Sequence, residues 1–285
     1  VLCIVNTRAH ARSIFELLGK SEGHYHLSAA MSPKHRRERL DEIRARLRAG
    51  KVCRVISTQL IEAGVDVDFP VVYRAMAGID SIAQAAGRCN REGKRGGGNV
   101  FVFTPAGGQG MSHVWFKRTA SLASSILAES DDPLSLDSVR RYFRDLYSYE
   151  EGSDSSVMSP SGLDKHGIMG EMEIGKRNMS FPFRDVSDQF KVIGEDTVGV
   201  VIPRDDNCRR ILNTVKLWGI SRRTSRSLQQ YTVSVRPWEF QALRESGLLE
   251  DVGGLPVLWD LSAYDESYGL VIKSNEKRGS DAWIF

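Results

Sequence analysis

Short apolar runs alternate with helical patterns over the first hundred residues of the chain. The candidate strands are Val1 to Val5, Tyr25 to Leu27, Val52 to Ser57, Val71 to Ala75 and Asn99 to Phe103. Strands that are separated by helix-length segments are typical of a parallel sheet with crossover helices. The pattern therefore predicts an α/β domain with flanking helices, which we place at residues 1–110.

The clearest helix pattern lies between the second and third strands. Ser32 is its expected cap, Pro33 its first turn and Gly50 its stop. Its apolar positions on one face are Leu40, Ile43 and Leu47. The opposite face carries arginines, which predicts an amphipathic and strongly basic helix.

The remainder of the chain is less regular. Residues 111–162 are predicted to form connecting helices, at Ser112 to Ala128 and Leu136 to Tyr147, and then a flexible linker at Glu150 to Gly162 that is rich in serine, glycine and acidic residues. Residues 163–285 mix strand and helix patterns and are predicted to form a smaller α+β accessory domain.

Composition agrees with a folded protein of about two domains. The chain has 285 residues, of which 41% are hydrophobic and 26% charged. It contains no apolar run of the roughly 18 residues that a membrane span needs. Four scattered cysteines without a zinc-like spacing suggest reduced thiols, so we expect a soluble cytoplasmic protein without a membrane partner. Because the sequence opens without methionine inside an apparent buried strand, we expect a fragment of a longer chain.

Charge is distributed unevenly. Residues 1–110 carry 17 lysines and arginines against 10 acidic residues, and the segment Lys34 to Arg54 holds nine basic residues against three acidic ones. Seven basic residues against two acidic ones also lie between Arg204 and Arg226. Both segments are compatible with phosphate contacts, and also with solvated helix faces.

The stretch IDSIAQAAGRCNR places Gln84, Arg88 and Arg91 at helical spacing. On a continuous helix the three side chains would emerge from one face. Two guanidiniums beside an amide suit a phosphate chain, since arginine stays ionised and binds oxygens in pairs. The alternative is an exposed helix with scattered arginines.

A second motif, VISTQLIEAGVDVDF, places Thr58 at the end of a buried strand and Gly64 and Asp66 in the turn that follows. Ligands of open parallel sheets bind beyond the carboxyl ends of the strands, where small hydroxyls can hold phosphate oxygens. A carboxylate such as Asp66 can accept a hydrogen bond from a ribose. The alternative is a capped loop and an ordinary turn.

The order of these segments, from IVNT through HLS and STQLIEAGVD to QAAGRCNR, resembles the second RecA-like domain of superfamily 2 helicases. Val5 to Thr7, Ser57 to Asp66 and Gln84 to Arg91 match helicase motifs IV, V and VI. The EAGVD and QAAGRCNR forms, with FPFRDVSDQFKVI, VGVVIP, QQYTVSV and YDESYGL in the tail, resemble the CRISPR-associated helicase-nucleases of type I systems. The resemblance covers essentially the whole chain.

The resemblance implies a RecA-like lobe followed by connecting helices and an accessory domain, from an enzyme that moves 3′ to 5′ along single-stranded DNA and degrades it. It implies catalytic roles for Arg88 and Arg91, as arginine fingers, and for Gln84. The implied contacts of ATP are Gly64, Asp66, Arg88 and Arg91. The implied DNA contacts are Thr7, Ser28, Thr58 and Gln59, with Arg36, Arg37 and Arg39 as outer phosphate contacts.

The implied cofactors are ATP and Mg²⁺, bound mainly by a first lobe, and a divalent metal for a nuclease domain. The implied partners are single-stranded DNA, the CRISPR RNA-guided surveillance complex, and the first lobe and nuclease domain of the same parent chain. The sequence has no GxxxxGK[ST] phosphate loop and no paired histidine and aspartate, so we expect no metal site here and no activity from this chain alone. A repair or replication-restart helicase of the same superfamily, and a non-catalytic nucleic-acid-binding module, remain alternatives.

Overall fold

The computed structural model describes residues 1–106, 114–148, 168–189 and 197–272. Residues 107–111, part of a glycine-rich break in the sequence, and the predicted linker Glu150 to Gly162 lie outside the described residues. The chain forms two compact units, Val1–Lys117 with Asp196–Phe285, and Arg118–Glu195. The division into three domains at residues 110 and 162 stays a prediction.

A five-stranded parallel sheet organises the first part of the larger unit. Its strands are β1 (Leu2–Val5), β2 (His24–Leu27), β3 (Arg54–Thr58), β4 (Val71–Ala75) and β5 (Asn99–Phe103), in the spatial order β2-β3-β1-β4-β5. Helices α1 (Arg8–Leu18), α2 (Pro33–Arg48) and α3 (Ile79–Ala86) provide crossovers, and a 3₁₀ turn at Gln59–Ile61 follows β3. The strands lie within two residues of their predicted bounds, and the predicted α/β fold class is confirmed.

Both faces of the central strands are buried, which is why their sequences are nearly continuously apolar. On one face Leu2 and Val55 pack with Ile43 of α2. On the other face Val5 and Ile56 pack with Phe15 of α1. Helix α2 begins after Ser32, as predicted, although the Ser32 side chain makes no capping hydrogen bond.

The smaller unit contains most of helix α4 (Val114–Glu129). It also contains helices α5 (Leu136–Ser148), α6 (Ile168–Asn178) and α7 (Phe183–Gln189). Tyr142 and Leu146 of α5 are buried, and so are Ala123 and Ile126 of α4. Arg118 donates a 2.7 Å hydrogen bond to the carbonyl of Leu146, which joins α4 to the end of α5.

The C-terminal part of the larger unit is an α+β domain. It consists of β6 (Val198–Val201), α8 (Asp206–Trp218), α9 (Arg222–Leu228), β7 (Thr232–Val235), α10 (Pro237–Glu245), β8 (Leu249–Val252), β9 (Leu255–Leu258), β10 (Tyr264–Asp265) and β11 (Gly269–Leu270). Strands β6 to β9 form a sheet in the order β7-β6-β9-β8, in which only the β6–β9 pair is parallel. Strands β10 and β11 form a separate antiparallel hairpin.

This α+β domain packs on the parallel-sheet lobe through ion pairs and through the β10–β11 hairpin. Lys34 of α2 pairs with Asp205, and Arg8 pairs with Glu239 at 2.5 Å. The Leu270 amide donates to the carbonyl of Ala30 at 2.8 Å. At Gly269, where φ is +80°, a Cβ atom would lie 2.3 Å from that carbonyl oxygen, so the hairpin can approach this closely only with glycine there. Among the described helices, none is long and apolar enough to span a membrane.

Two histidines are buried under the hairpin. His26 lies between Phe15 and Tyr268, with ring centroids 5.9 and 5.6 Å away. His35 Nδ1 lies 2.9 Å from the Tyr264 hydroxyl. Burial lowers the pKa of each imidazole to about 4. Both histidines are therefore neutral in the folded protein at neutral pH.

We expect acid to loosen this packing. Because the folded-state pKa of His26 is lowered, its contribution to stability is complete above the unfolded pKa of about 6.5 and is lost as the pH falls towards 4. The loss reaches about 3 kcal/mol at the acid end of that window. The free energy of unfolding, measured with urea, should fall less between pH 7 and pH 5 for His26→Phe than for the wild-type chain. An unchanged difference would contradict this assignment.

Candidate nucleic-acid and nucleotide site

A cleft of about 560 Å³ opens at the carboxyl edge of the parallel sheet. From β1 the chain runs to one edge of the sheet, at β2, and from the adjacent β4 it runs to the other edge, at β5. Such a switch point is where open α/β sheets bind ligands. The cleft brings together five of the residues predicted from the sequence. They are Thr7, Arg36, Thr58, Gln59 and Gln84.

Strand ends and a helix start position the hydroxyl groups of the cleft. Thr7 follows β1 and caps α1, where its side chain accepts a 3.2 Å hydrogen bond from the His10 amide. Thr58 ends β3, and Gln59 begins the 3₁₀ turn that follows. Both side chains are half-buried. Their spacing follows from parallel strands that end at one edge of the sheet.

Two of the other predicted DNA contacts are held within the protein. Ser28 is only 1% exposed and accepts a 3.3 Å hydrogen bond from the Ala30 amide, next to the carbonyl that the hairpin contacts. Arg39 binds both carboxylate oxygens of Glu42, at 3.0 and 3.1 Å. Arg36 lines the cleft and donates to the Met31 carbonyl at 3.1 Å, whereas Arg37 is exposed. The DNA-contact role of these residues stays a prediction.

The predicted nucleotide contacts Asp66 and Arg91 lie together. Arg91 Nε is 2.9 Å from Asp66 Oδ1, and both side chains are exposed. The Arg91 amide donates to Asp68 Oδ1 at 2.8 Å, which fixes the backbone at that point. Gly64 has φ +69° in the turn before Asp66, a left-handed conformation that favours glycine. The turn therefore presents a guanidinium and a carboxylate to solvent.

Arg88 occupies a different position from Arg91. It is 7% exposed, its Nε donates to the carbonyl of Ile61 at 3.0 Å, and its Nη2 donates to the carbonyl of Glu62. Burial, followed by the nearby charge of Arg91, lowers the pKa of Arg88. In this structure its donors therefore hold the turn of the STQLIEAGVD motif.

The expectation that Gln84, Arg88 and Arg91 share one helix face is wrong. Helix α3 ends at Ala86, so both arginines lie beyond it. The chain turns there because Phe69 exchanges hydrogen bonds with the segment after the helix. The Phe69 amide donates to the Arg88 carbonyl, and the Asn90 amide donates to the Phe69 carbonyl, both at 2.9 Å. Asn90 has φ +47°, which is incompatible with continuing the helix.

A buried ion pair joins the two groups of predicted residues. Arg74 of β4 is fully buried, and its Nε lies 2.7 Å from Glu62 Oε1. Arg74 also donates to Asn6 Oδ1 at 2.6 Å, and Asn6 donates to the carbonyl of Met76 at 2.9 Å. Because Arg88 binds the backbone of Glu62, one network connects the end of β1, the turn after β3 and the segment after α3.

Sequence reasoning missed Asn6, Arg8 and Arg74. Arg8 lines the cleft beside Thr7 and pairs with Glu239 of the α+β domain. A signal was present for Arg74, because an arginine inside the apolar strand VVYRA needs a buried partner. Among the described residues, no group of histidine, cysteine and carboxylate side chains has the arrangement of a metal site.

Comparison with known proteins bears on this geometry. The family model described as CRISPR-associated nuclease/helicase Cas3, C-terminal, matches residues 1–94. The predicted resemblance is confirmed. The Cas3 nuclease/helicase of Haloferax volcanii is 59% identical over 54 residues, which are 18% of this chain and 6% of that protein. The Cas3 nuclease/helicase of Methanothermobacter thermautotrophicus is 29% identical over 135 residues, which are 46% of this chain and 16% of that protein.

Solved structures agree on the fold. The structure of T. fusca Cas3 with AMPPNP matches with a TM-score of 0.53 and 19% identity, over 90% of this chain and 35% of that one. T. fusca Cas3 has also been solved with ATP and with ADP. A chain of a CRISPR RNA-guided surveillance complex in a pre-nicking state matches with a TM-score of 0.53 and 16% identity, over 95% of this chain and 40% of that one. The chain thus spans well under half of the Cas3 proteins that it resembles.

Proposed function

We propose that this chain is the second RecA-like lobe and accessory domain of a Cas3-type enzyme that hydrolyses ATP and moves 3′ to 5′ along single-stranded DNA during type I CRISPR interference. The observation that carries the proposal is the cleft at the carboxyl edge of the sheet in the Cas3-like segment. It combines hydroxyl and amide groups on one side with the exposed Arg91 and Asp66 on the turn nearby.

On this proposal the cleft binds single-stranded DNA through the sugars and phosphates of its backbone. Thr7, Thr58 and Gln59 offer neutral hydrogen-bonding groups, and Arg36 adds a positive charge. Such contacts do not read bases, which suits an enzyme that moves along any sequence. One hydrogen-bonded network, made of Asn6, Arg74, Glu62 and Arg88, would fix the DNA-binding residues Thr58 and Gln59 relative to the turn that carries Asp66 and Arg91.

Arg91 and Asp66 would face ATP and Mg²⁺ held mainly by a first lobe. The residues here fit that role, because the guanidinium is exposed and its partner is a surface carboxylate that it can exchange for a phosphoryl oxygen. When bound, ATP supplies the phosphoryl group whose cleavage drives movement. Gln84, which lines the cleft, would take part in catalysis there through its side-chain amide. The 285-residue chain alone would bind DNA but would not hydrolyse ATP. The surveillance complex and a nuclease domain of the same parent chain would be the protein partners.

The cleft is tested by single-stranded DNA binding of the 285-residue chain. Gln59→Ala and Thr58→Ala should each weaken binding of an oligothymidylate roughly tenfold, since each removes a hydrogen bond to a charged phosphate. Gln241→Ala, at an exposed glutamine of α10, should leave the affinity unchanged. Fluorescence anisotropy at one fixed salt concentration measures all three variants. If Gln59→Ala and Thr58→Ala bound the oligonucleotide as tightly as the wild-type chain does, the DNA would have to bind outside this cleft.

A further inference from the structure

The turn between α8 and α9 presents large apolar side chains to solvent. Trp218 is 84% exposed, and its neighbours Leu217 and Ile220 are 75% and 50% exposed. Helix α8 buries Cys208, Leu212 and Val215 in the domain core, and the three exposed side chains lie outside that core. An indole that is almost fully exposed at a helix end is available to a ligand.

The sequence around Trp218 is rich in basic residues, and an acidic group nearby, Glu250, has its carboxylate 3.9 Å from the Lys216 ammonium. The segment 207–238 contains seven lysines and arginines and no aspartate or glutamate. Arg222, Arg223 and Arg226 of α9 are exposed, and none of them has an ion pair among the described residues. Since only Gly219, Ile220 and Ser221 separate Trp218 from Arg222, their Cα atoms lie no more than about 14 Å apart. We call Trp218, Arg222, Arg223 and Arg226 the α8–α9 surface.

The α8–α9 surface lies away from the cleft. The first turn of α8 faces the parallel-sheet lobe, where Asp205 pairs with Lys34. The 13 residues of α8 rise about 1.5 Å each, so Trp218 lies about 20 Å further along the helix. None of the residues of this surface lines the cleft.

We propose that the α8–α9 surface is a second contact for single-stranded nucleic acid, outside the cleft. Arginines that have no ion pair among the described residues, in a segment without acidic residues, are complementary to a chain of phosphates. The exposed indole selects a single strand, because bases can stack on it only when they are unpaired. The proposal goes beyond the assignment of the cleft and can be tested whether or not the cleft binds DNA.

The test is binding of oligothymidylates of about 10 and about 30 nucleotides to the 285-residue chain. Trp218→Ala should weaken binding of the longer oligonucleotide at least about fivefold, as expected for the loss of one stacked base. The triple variant Arg222→Ala, Arg223→Ala, Arg226→Ala should reduce the slope of log affinity against log salt by about 2. Trp259→Ala and Arg244→Ala, at exposed positions elsewhere in the same domain, are the matched controls and should bind like the wild type.

Three outcomes would overturn the proposal. Wild-type affinity of both the Trp218 variant and the triple variant would exclude a nucleic-acid contact here. An equal loss for duplex DNA would remove the stacking role of Trp218. Competition by polyglutamate as strong as that by oligothymidylate would indicate an acidic protein as the ligand. Adding Trp218→Ala to the Gln59→Ala variant separates the two sites, because independent contacts give additive losses in binding free energy.

Discussion

Replacing Arg91 by alanine in the full-length protein should lower DNA-dependent ATP hydrolysis by about 10³-fold or more and leave the fold intact. A guanidinium that stabilises charge on a transferred phosphoryl group contributes about 10³ to 10⁵ in rate. Arg91 is exposed and, in the part of the chain that the structure describes, its ion pair is with the surface carboxylate Asp66. Its loss should therefore change the free energy of unfolding by no more than about 0.5 kcal/mol. Phosphate release and urea unfolding measure the two effects.

Two further variants make this experiment specific. Arg95→Ala removes an exposed arginine from the same turn, where it pairs with Asp68 at 2.7 Å, and should retain ATP hydrolysis. Arg88→Ala should instead lower the free energy of unfolding by about 1–3 kcal/mol, because it leaves the carbonyls of Ile61 and Glu62 without their donors. If Arg91→Ala retained hydrolysis but lost DNA affinity, Arg91 would belong to the strand-binding side.

The parallel-sheet lobe could be predicted from the sequence because its signals are local. Val71–Ala75 and Asn99–Phe103 are apolar runs with clear ends, and their predicted bounds agree with the structure. The grouping of Thr7, Thr58 and Gln59 also followed, since parallel strands bring their carboxyl ends to one edge.

What the sequence did not predict depends on contacts between distant residues. Helix α3 ends early because Phe69 pairs with the Arg88–Asn90 segment, which has no signature in the helix itself. Ser28 was predicted to contact DNA, but the loop that follows it is covered by the β10–β11 hairpin, whose Leu270 amide donates to the carbonyl of Ala30. The packing of Glu239 on Arg8 is likewise a tertiary contact between two ordinary surface residue types.

Replacing Arg74 by methionine should lower the free energy of unfolding of the 285-residue chain by about 3–5 kcal/mol. Methionine fills much of the same volume, so the main cost is the carboxylate of Glu62, which would remain buried without its partner. Urea unfolding followed by circular dichroism measures the change. Arg140→Ala, which removes an exposed pair with Asp137, is the control and should cost no more than about 1 kcal/mol.

The pH dependence of the Arg74 variant identifies the source of that cost. Burial raises the pKa of Glu62 even in the presence of Arg74, and without the guanidinium that pKa rises further. A raised folded-state pKa lets the folded variant keep its proton at mildly acidic pH, so its destabilisation should be smaller at pH 5 than at pH 8. Adding Glu62→Leu should recover part of the loss at pH 8, because no buried charge then remains. A cost that is the same at both pH values and is not relieved by Glu62→Leu would mean that Arg74 acts through packing and its bond to Asn6, and not as the partner of Glu62.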